Sequence, residues 1–215
     1  MTELDLLLRA LASPTRLRIL ALLRAAPRGP AALAATLRLA PSTVTFHLKL
    51  LLRMHLVRYQ KHQRYKFYTL AHRRKGSLRT RLLERLGTEV PEGLGPVPAH
   101  PSRKPGRVLT RPRGHSGVNP GPLGPVWRAL TSFSFFRRLL MLKVFHEEGR
   151  ASVRRLMTAA DLSARWVEYH LDKLTRRGVV EESGGIYRLC AKPPTALQGF
   201  LTGLLGEQVS GVPGS

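Results

Sequence analysis

The same stretch occurs twice in this chain. LAPSTVTFHLKLLLRMHLV (39–57) aligns without a gap on LSARWVEYHLDKLTRRGVV (162–180), a shift of 123 positions. Leu39, Val44, His47, Leu48, Leu51, Arg53 and Val57 recur as Leu162, Val167, His170, Leu171, Leu174, Arg176 and Val180, which is 7 identities in 19 positions. Each copy runs into a short β-like hairpin that closes on an aromatic and a leucine, Tyr68 and Leu70 in the first and Tyr187 and Leu189 in the second. An internal repeat sets the number of modules before any other reading does. A chain of 215 residues has room for two small domains, each with its own core.

Local signals divide the chain into a first module (1–86), a linker (87–125), a second module (126–193) and a tail (194–215). Leu4, Leu7, Leu8 and Leu11 recur at helical spacing. Ser13 and Pro14 read as the N-cap and first-turn proline of a second helix that runs to Leu23, before Pro27, Gly29 and Pro30 break it. A short Ala/Leu helix over 31–37, a turn at 39–41 and a fourth helix over about 42–54 follow. Strands over 56–59 and 65–70 flank a polar turn, 61–64, and Leu78, Leu82, Leu83 and Leu86 mark a closing helix. The Pro-, Gly- and Arg-rich segment 87–125 buries too little to offset its ordering entropy and is expected to be flexible.

In the second module, helices are expected over 135–146 (stopped by Gly149), over 152–159, and from an N-cap at Ser163 to residue 177, stopped by Gly178. A hairpin over 179–182 and 186–190 turns at Gly184 and Gly185. A small helix over 195–205 and a frayed end, 206–215, complete the chain.

The charge balance narrows the partner. Lys and Arg number 36 against 13 Asp and Glu, a formal net charge of +23. Such an excess points to a polyanion, because each neutralised phosphate releases counterions. A repeated helix-plus-hairpin unit in so basic a chain implies a mainly α fold with small β-hairpin wings: tandem winged helix-turn-helix domains joined by a flexible linker. The single cysteine, Cys190, excludes an internal disulfide and fits a reducing compartment. The stretch MTELDLLLRA (1–10) is acidic-apolar, with no basic n-region and no cleavable h-region, so no signal peptide is expected, and no apolar run approaches the roughly 18–20 residues that span a bilayer. The expected location is the cytoplasm, beside the nucleoid, with no membrane partner.

The segment 11–70 resembles the ArsR-type winged helix repressors of bacteria and archaea. LASPTRLRIL (11–20), STVTFHLKLL (42–51), MHLV (54–57) and YKFYTL (65–70) carry the resemblance. It implies a cytoplasmic transcription factor on double-stranded DNA, usually a homodimer with its first and last helices at the contact. The alternative is a second module that folds back as an intrachain pseudo-dimer. Metal-sensing members carry a cysteine pair on the third helix or Asp/His sets on the last. Here the third helix is AALAATL (31–37), and Arg and Leu follow His72. No metal and no cofactor are therefore expected, and the effector stays open.

A winged helix lays its recognition helix in the major groove, where base edges are distinguishable. In the first copy Val44, Leu48, Leu51 and Leu52 supply an inward stripe, leaving Ser42, Thr43, Thr45, Phe46, Lys49 and Arg53 to face out. Ser42 and Thr43 sit where the helix N-terminus favours phosphate. Thr45 offers a hydroxyl and a methyl to bases; Phe46 either touches a thymine methyl or packs on a neighbouring helix. The wing, Lys61, His62, Gln63, Arg64 and Lys66, suits phosphate or a narrow minor groove. Arg16, early in the second helix, is a further phosphate candidate. His47 recurs as His170 among different neighbours, which points to a structural role rather than a ligand.

The second copy keeps the apolar skeleton and changes the outward residues. Glu168 stands for Thr45, Asp172 for Lys49, and Glu181 and Glu182 for Arg58 and Tyr59. Carboxylates facing phosphates are repelled. Residues 1–72 carry 12 basic and 2 acidic side chains, 73–127 carry 11 and 3, and 128–215 carry 13 and 8, so the excess lies mainly in the first module and linker. The second module is expected to pair rather than to read, although Arg165, Trp166 and Arg177 remain placed to reach a backbone. No phosphate loop, dinucleotide fingerprint or catalytic pair is present, and enzyme activity is not expected. The competing class is a non-specific nucleic-acid-coating or architectural protein.

Overall fold

The computed structural model describes residues 2–71, 76–91 and 121–209. The first module runs α1 (Glu3–Leu11), α2 (Pro14–Ala25), α3 (Pro30–Leu37), α4 (Pro41–Arg53), β1 (Val57–His62), β2 (Tyr65–Leu70) and α5 (Leu78–Glu89). After a 3-10 turn at Gly121–Leu123 come α6 (Gly124–Phe133), α7 (Phe136–Glu148), β3 (Arg150–Ser152), α8 (Val153–Ala160), α9 (Ala164–Arg176), β4 (Val180–Ser183), β5 (Ile186–Leu189) and α10 (Ala196–Val209). Both halves share one order of elements, four helices followed by an antiparallel hairpin and a closing helix. The repeat seen in the sequence extends across the whole module: α8 and α9 begin and end 123 positions after α3 and α4. Even the extra strand has a counterpart, since Arg28 bridges to Tyr68 where Ala151 of β3 pairs with Tyr187 of β5.

The turns before α4 and α9 are built the same way. Arg38 (φ 52°) and Asp161 (φ 50°) take the left-handed conformation that ends α3 and α8. Behind them Leu39 N–H donates to the Ala34 carbonyl and Leu162 N–H to the Met157 carbonyl, both at 3.1 Å. This reversal points α4 and α9 across the helices before them, as helix-turn-helix packing needs. A second shared lock holds the far end: Arg79 Nε donates to the Met54 carbonyl at 3.1 Å, and Gln198 Nε2 to the Arg177 carbonyl at 3.2 Å.

The apolar spacing of α1 is realised, with Leu4, Leu7, Leu8 and Leu11 all buried, each burial contributing roughly 1.5–3 kcal/mol. Thr2 caps this helix by accepting from Asp5 N–H. Ser13 and Ser163 precede α2 and α9 as expected, yet neither side chain makes a capping hydrogen bond. Gly149 (φ 73°) and Gly178 (φ 65°) end α7 and α9 in the left-handed region, as their positions implied.

Several expectations are corrected. A helix, α6, precedes the second module's expected first helix, with Val126, Ala129, Leu130 and Phe133 buried along one face. Residues 87–89 belong to α5, 121–123 to the 3-10 turn and 124–125 to α6, so the linker read at 87–125 is shorter; residues 92–120 of it lie outside the described residues. The helix expected over 195–205 is longer, running from Ala196 to Val209, so residues 206–209 of the expected frayed end are helical, and Leu197, Leu201, Leu204 and Leu205 are buried in the core. The basic run after Ala71 (72–75) and the end at 210–215 also lie outside the described residues.

The two modules share one continuous apolar core. Helix α1 packs on α6, its own counterpart, and α5 packs on α10, its own counterpart. Arg81 of α5 grips Glu207 of α10 through two hydrogen bonds of 2.5 and 2.7 Å and lies 5.7 Å over the Phe200 ring. Arg9 of α1 donates to the Ser134 carbonyl just beyond α6. The helices expected to pair protomers are thus covered from within the chain.

Candidate nucleic-acid interface

Helix α4 sits on α3, α2 and β1 through Val44, Leu48 and Leu51, all fully buried. That anchoring leaves Ser42, Phe46, Lys49 and Arg53 exposed, at the i, i+4, i+7, i+11 spacing of one outer face. Thr43 and Thr45 flank it half-buried. The helix begins one residue earlier than its polar face suggested, with Pro41 in its first turn and Ala40 as N-cap. No side chain caps this end, so the free N–H groups of Ser42 and Thr43 are available to an anion. Phe46 is 58% exposed, its ring 5.5 Å from that of the adjacent His47 in an edge-to-face arrangement.

The wing is a strict antiparallel hairpin, with His62 opposite Tyr65 and a two-residue turn at Gln63 and Arg64. Lys61 and His62 belong to β1 rather than to the turn. Lys61 faces Lys66 in register. Like charges directly opposite are unfavourable in a hairpin, and a polyanion relieves them. Lys66 is steadied 4.8 Å over the Tyr59 ring, and Arg64 lies 5.2 Å over Tyr65. Among the described residues none of Lys49, Arg53, Lys61, Arg64 and Lys66 is ion-paired. Tyr59, Tyr65 and Phe67 are exposed on the same hairpin, an aromatic surface the sequence reading did not single out.

Arg16 does not join this surface. Its guanidinium turns back onto the end of α1, donating to the Ala10 carbonyl and, at 2.9 Å, to the Arg9 carbonyl. Burial there pushes its pKa down to about 10. It satisfies carbonyls that α1 leaves open at its C-terminus, so the phosphate role read for it is withdrawn.

The two recurring histidines are half-buried at equivalent positions of α4 and α9. Burial holds His47 down to about 4, helped by the nearby Arg16 charge, and holds His170 down to about 4, helped by Arg138 and Lys173. His170 Nδ1 accepts from Arg138 Nε at 3.1 Å, and Arg138, 3% exposed, also donates to the Thr131 carbonyl. Both imidazoles are therefore neutral at pH 7. Among the described residues no group of three or more His, Cys, Asp or Glu is placed to hold a metal. Cys190 is half-buried just after β5, and burial raises its thiol pKa.

The outer face of α9 has other chemistry. Arg165, Trp166, Glu168, Tyr169, Asp172 and Arg176 are exposed. Arg176 is bound to Asp172 at 2.8 Å, Arg188 to Glu181 at 2.6 Å, and Glu182 accepts from Gly185 N–H. Arg177 is turned inward to Ser132 Oγ at 3.0 Å and Thr131 Oγ1 at 3.2 Å, which removes it from the residues placed to reach a backbone.

A buried-backed helix, a tight turn and a cationic hairpin define a nucleic-acid-binding class of domain. In agreement, residues 11–60 match the family model described as a helix-turn-helix domain. This is the general class of DNA-binding transcription regulators, here covering the segment from the end of α1 through most of β1. No curated protein matches the chain. Among the described residues no helix is long and apolar enough to cross a membrane.

Proposed function

We propose that the chain is an intracellular, sequence-specific transcriptional regulator of the ArsR type that inserts α4 into the major groove and lays its wing on the backbone or minor groove. The second module serves for pairing and positioning. The observation that carries this reading is the exposed Ser42–Phe46–Lys49–Arg53 face beside an unpaired cationic hairpin, set against the acid-bearing equivalents in the second module. Lys49, Arg53, Lys61, Arg64 and Lys66 supply phosphate contacts, while Thr45 and Phe46 meet base edges. The regulator needs no cofactor and performs no catalysis.

The test is binding to sites enriched from genomic DNA beside random duplex and RNA, across a range of salt. The regulator keeps a sequence preference at physiological salt. Thr45→Ala changes that preference with little loss of total binding. Equal affinity for all three nucleic acids would favour the coating role instead, which the further excess of cations in 73–127 also suits.

A further inference from the structure

Symmetric dimers bring each surface against its own copy, so an element meets its equivalent across the axis. This chain does so internally. Helix α1 meets α6 and α5 meets α10, and in the alignment that joins Tyr68 to Tyr187 and Leu82 to Leu201, Arg81 corresponds to Phe200. Arg81 lies over that ring. A residue touching its own equivalent is the mark of a pseudo-two-fold axis.

The surface a second copy would need is consumed by this contact. Leu82, Leu86, Phe133, Leu201 and Leu205 are buried. Among the described residues of α1, α5, α6 and α10, the only exposed large hydrophobic side chain is Leu6, at 41%. Phe135 and Phe136, just beyond α6, are 41% and 38% exposed. A stable interface buries roughly 1,200–2,000 Å² around an apolar centre, more than Leu6 and these two rings provide. The pair also has only one reading head, because the position of Lys49 is held by Asp172, itself neutralised by Arg176, and that of Thr45 by Glu168.

We infer that one chain is the complete DNA-binding unit, and that its target is a single asymmetric site of about one helical turn rather than the inverted repeat a two-headed dimer reads. The inference rests on the regulator reading of α4. Its partner is thus a non-palindromic duplex bound one to one, with the second module completing the frame that holds α4.

The test is selection of the full chain on a random-sequence duplex library, then light scattering and titration on the selected duplex. The expected results are a motif without inverted symmetry, a complex of one chain per duplex at every protein concentration, and a Hill coefficient of 1. Two selected motifs placed as an inverted repeat are then filled independently. Lys49→Ala lowers affinity for the selected duplex about tenfold, and Asp172→Ala leaves it unchanged. A palindromic motif occupied cooperatively by two chains would overturn the one-chain inference and leave the reading helix standing. No motif at all, with binding indifferent to sequence, would overturn both.

Discussion

The salt dependence of DNA binding separates the two reading faces quantitatively. Five exposed, unpaired cations of α4 and the wing are the proposed phosphate contacts: Lys49, Arg53, Lys61, Arg64 and Lys66. At about 0.9 per neutralised phosphate they give log K a slope of about −4.5 against log salt, so affinity falls about 500-fold between 50 and 200 mM. Lys49→Ala removes one contact. The slope becomes about −3.6 and the same salt step costs about 150-fold. Asp172→Ala, at the equivalent position of α9, changes the slope by less than about 0.3, because that face meets no phosphate. Differences between variants are the measured quantity, so cations elsewhere in the chain cancel. Fluorescence anisotropy on one labelled duplex at four or five salt concentrations reads all three slopes. Equal changes in both variants would refute the assignment of a single head, and an unchanged slope in Lys49→Ala would remove α4 from the groove.

Three further outcomes follow from the packing. His55 (φ 53°) is exposed in the left-handed position after α4, where Gly178 stands after α9. Relief of about 1–2 kcal/mol of strain, less the lost chain stiffness, makes His55→Gly stabilising by about 0.5–1 kcal/mol. Gly178→Ala is destabilising, since its Cβ would lie 3.0 Å from Pro194 Cγ; thermal melts of opposite sign check the pair, and equal signs would refute it. His47 and His170, held neutral down to about 4, charge more readily in the unfolded chain near its ordinary value of about 6.5. Their contribution is fully present above that value and is lost as pH falls from about 6.5 toward 4. A melting temperature that drops over this range, and drops less in His170→Gln, is the expected result; a flat profile would contradict it. Phe133→Ala opens the fully buried α6 face and costs about 3–5 kcal/mol, with a melting temperature independent of protein concentration because the interface is intrachain. A concentration-dependent melt would point to contacts between chains.

Much of the fold was legible because its signals are local. The α3–α4 and α8–α9 pairs, both hairpins and the stops at Gly149 and Gly178 each follow from periodicity, turn residues and glycine within a few positions. The exposed face of α4 was legible too, since burying Val44, Leu48 and Leu51 forces Ser42, Phe46, Lys49 and Arg53 outward. Helix α6 carried a readable stripe in Val126, Ala129, Leu130 and Phe133, but it is short and directly abuts Pro- and Gly-rich sequence. Strand β3 is three residues long and exists because β5 offers it an edge, a pairing with no local signature.

The role of Arg16 depended on distance across a helix boundary. Nothing in TRLRIL distinguishes an arginine aimed at phosphate from one that closes the last turn of the preceding helix. The same holds for Arg177, held by Thr131 and Ser132 from a helix far away in sequence. Only the tertiary structure places those carbonyls and hydroxyls within reach.

By itself the sequence determined the repeated apolar skeleton and the change of sign on its outer face, because hydrophobic period and charge are properties of each segment alone. What the tertiary structure decided is how the copies meet. The first and last helices of one module bury themselves against the first and last helices of the other, through Phe133, Leu82, Leu201 and the Arg81–Glu207 pair. An amphipathic helix announces that it has an apolar face to cover; whether its own chain or a second copy covers it depends on how the connection brings the two surfaces together.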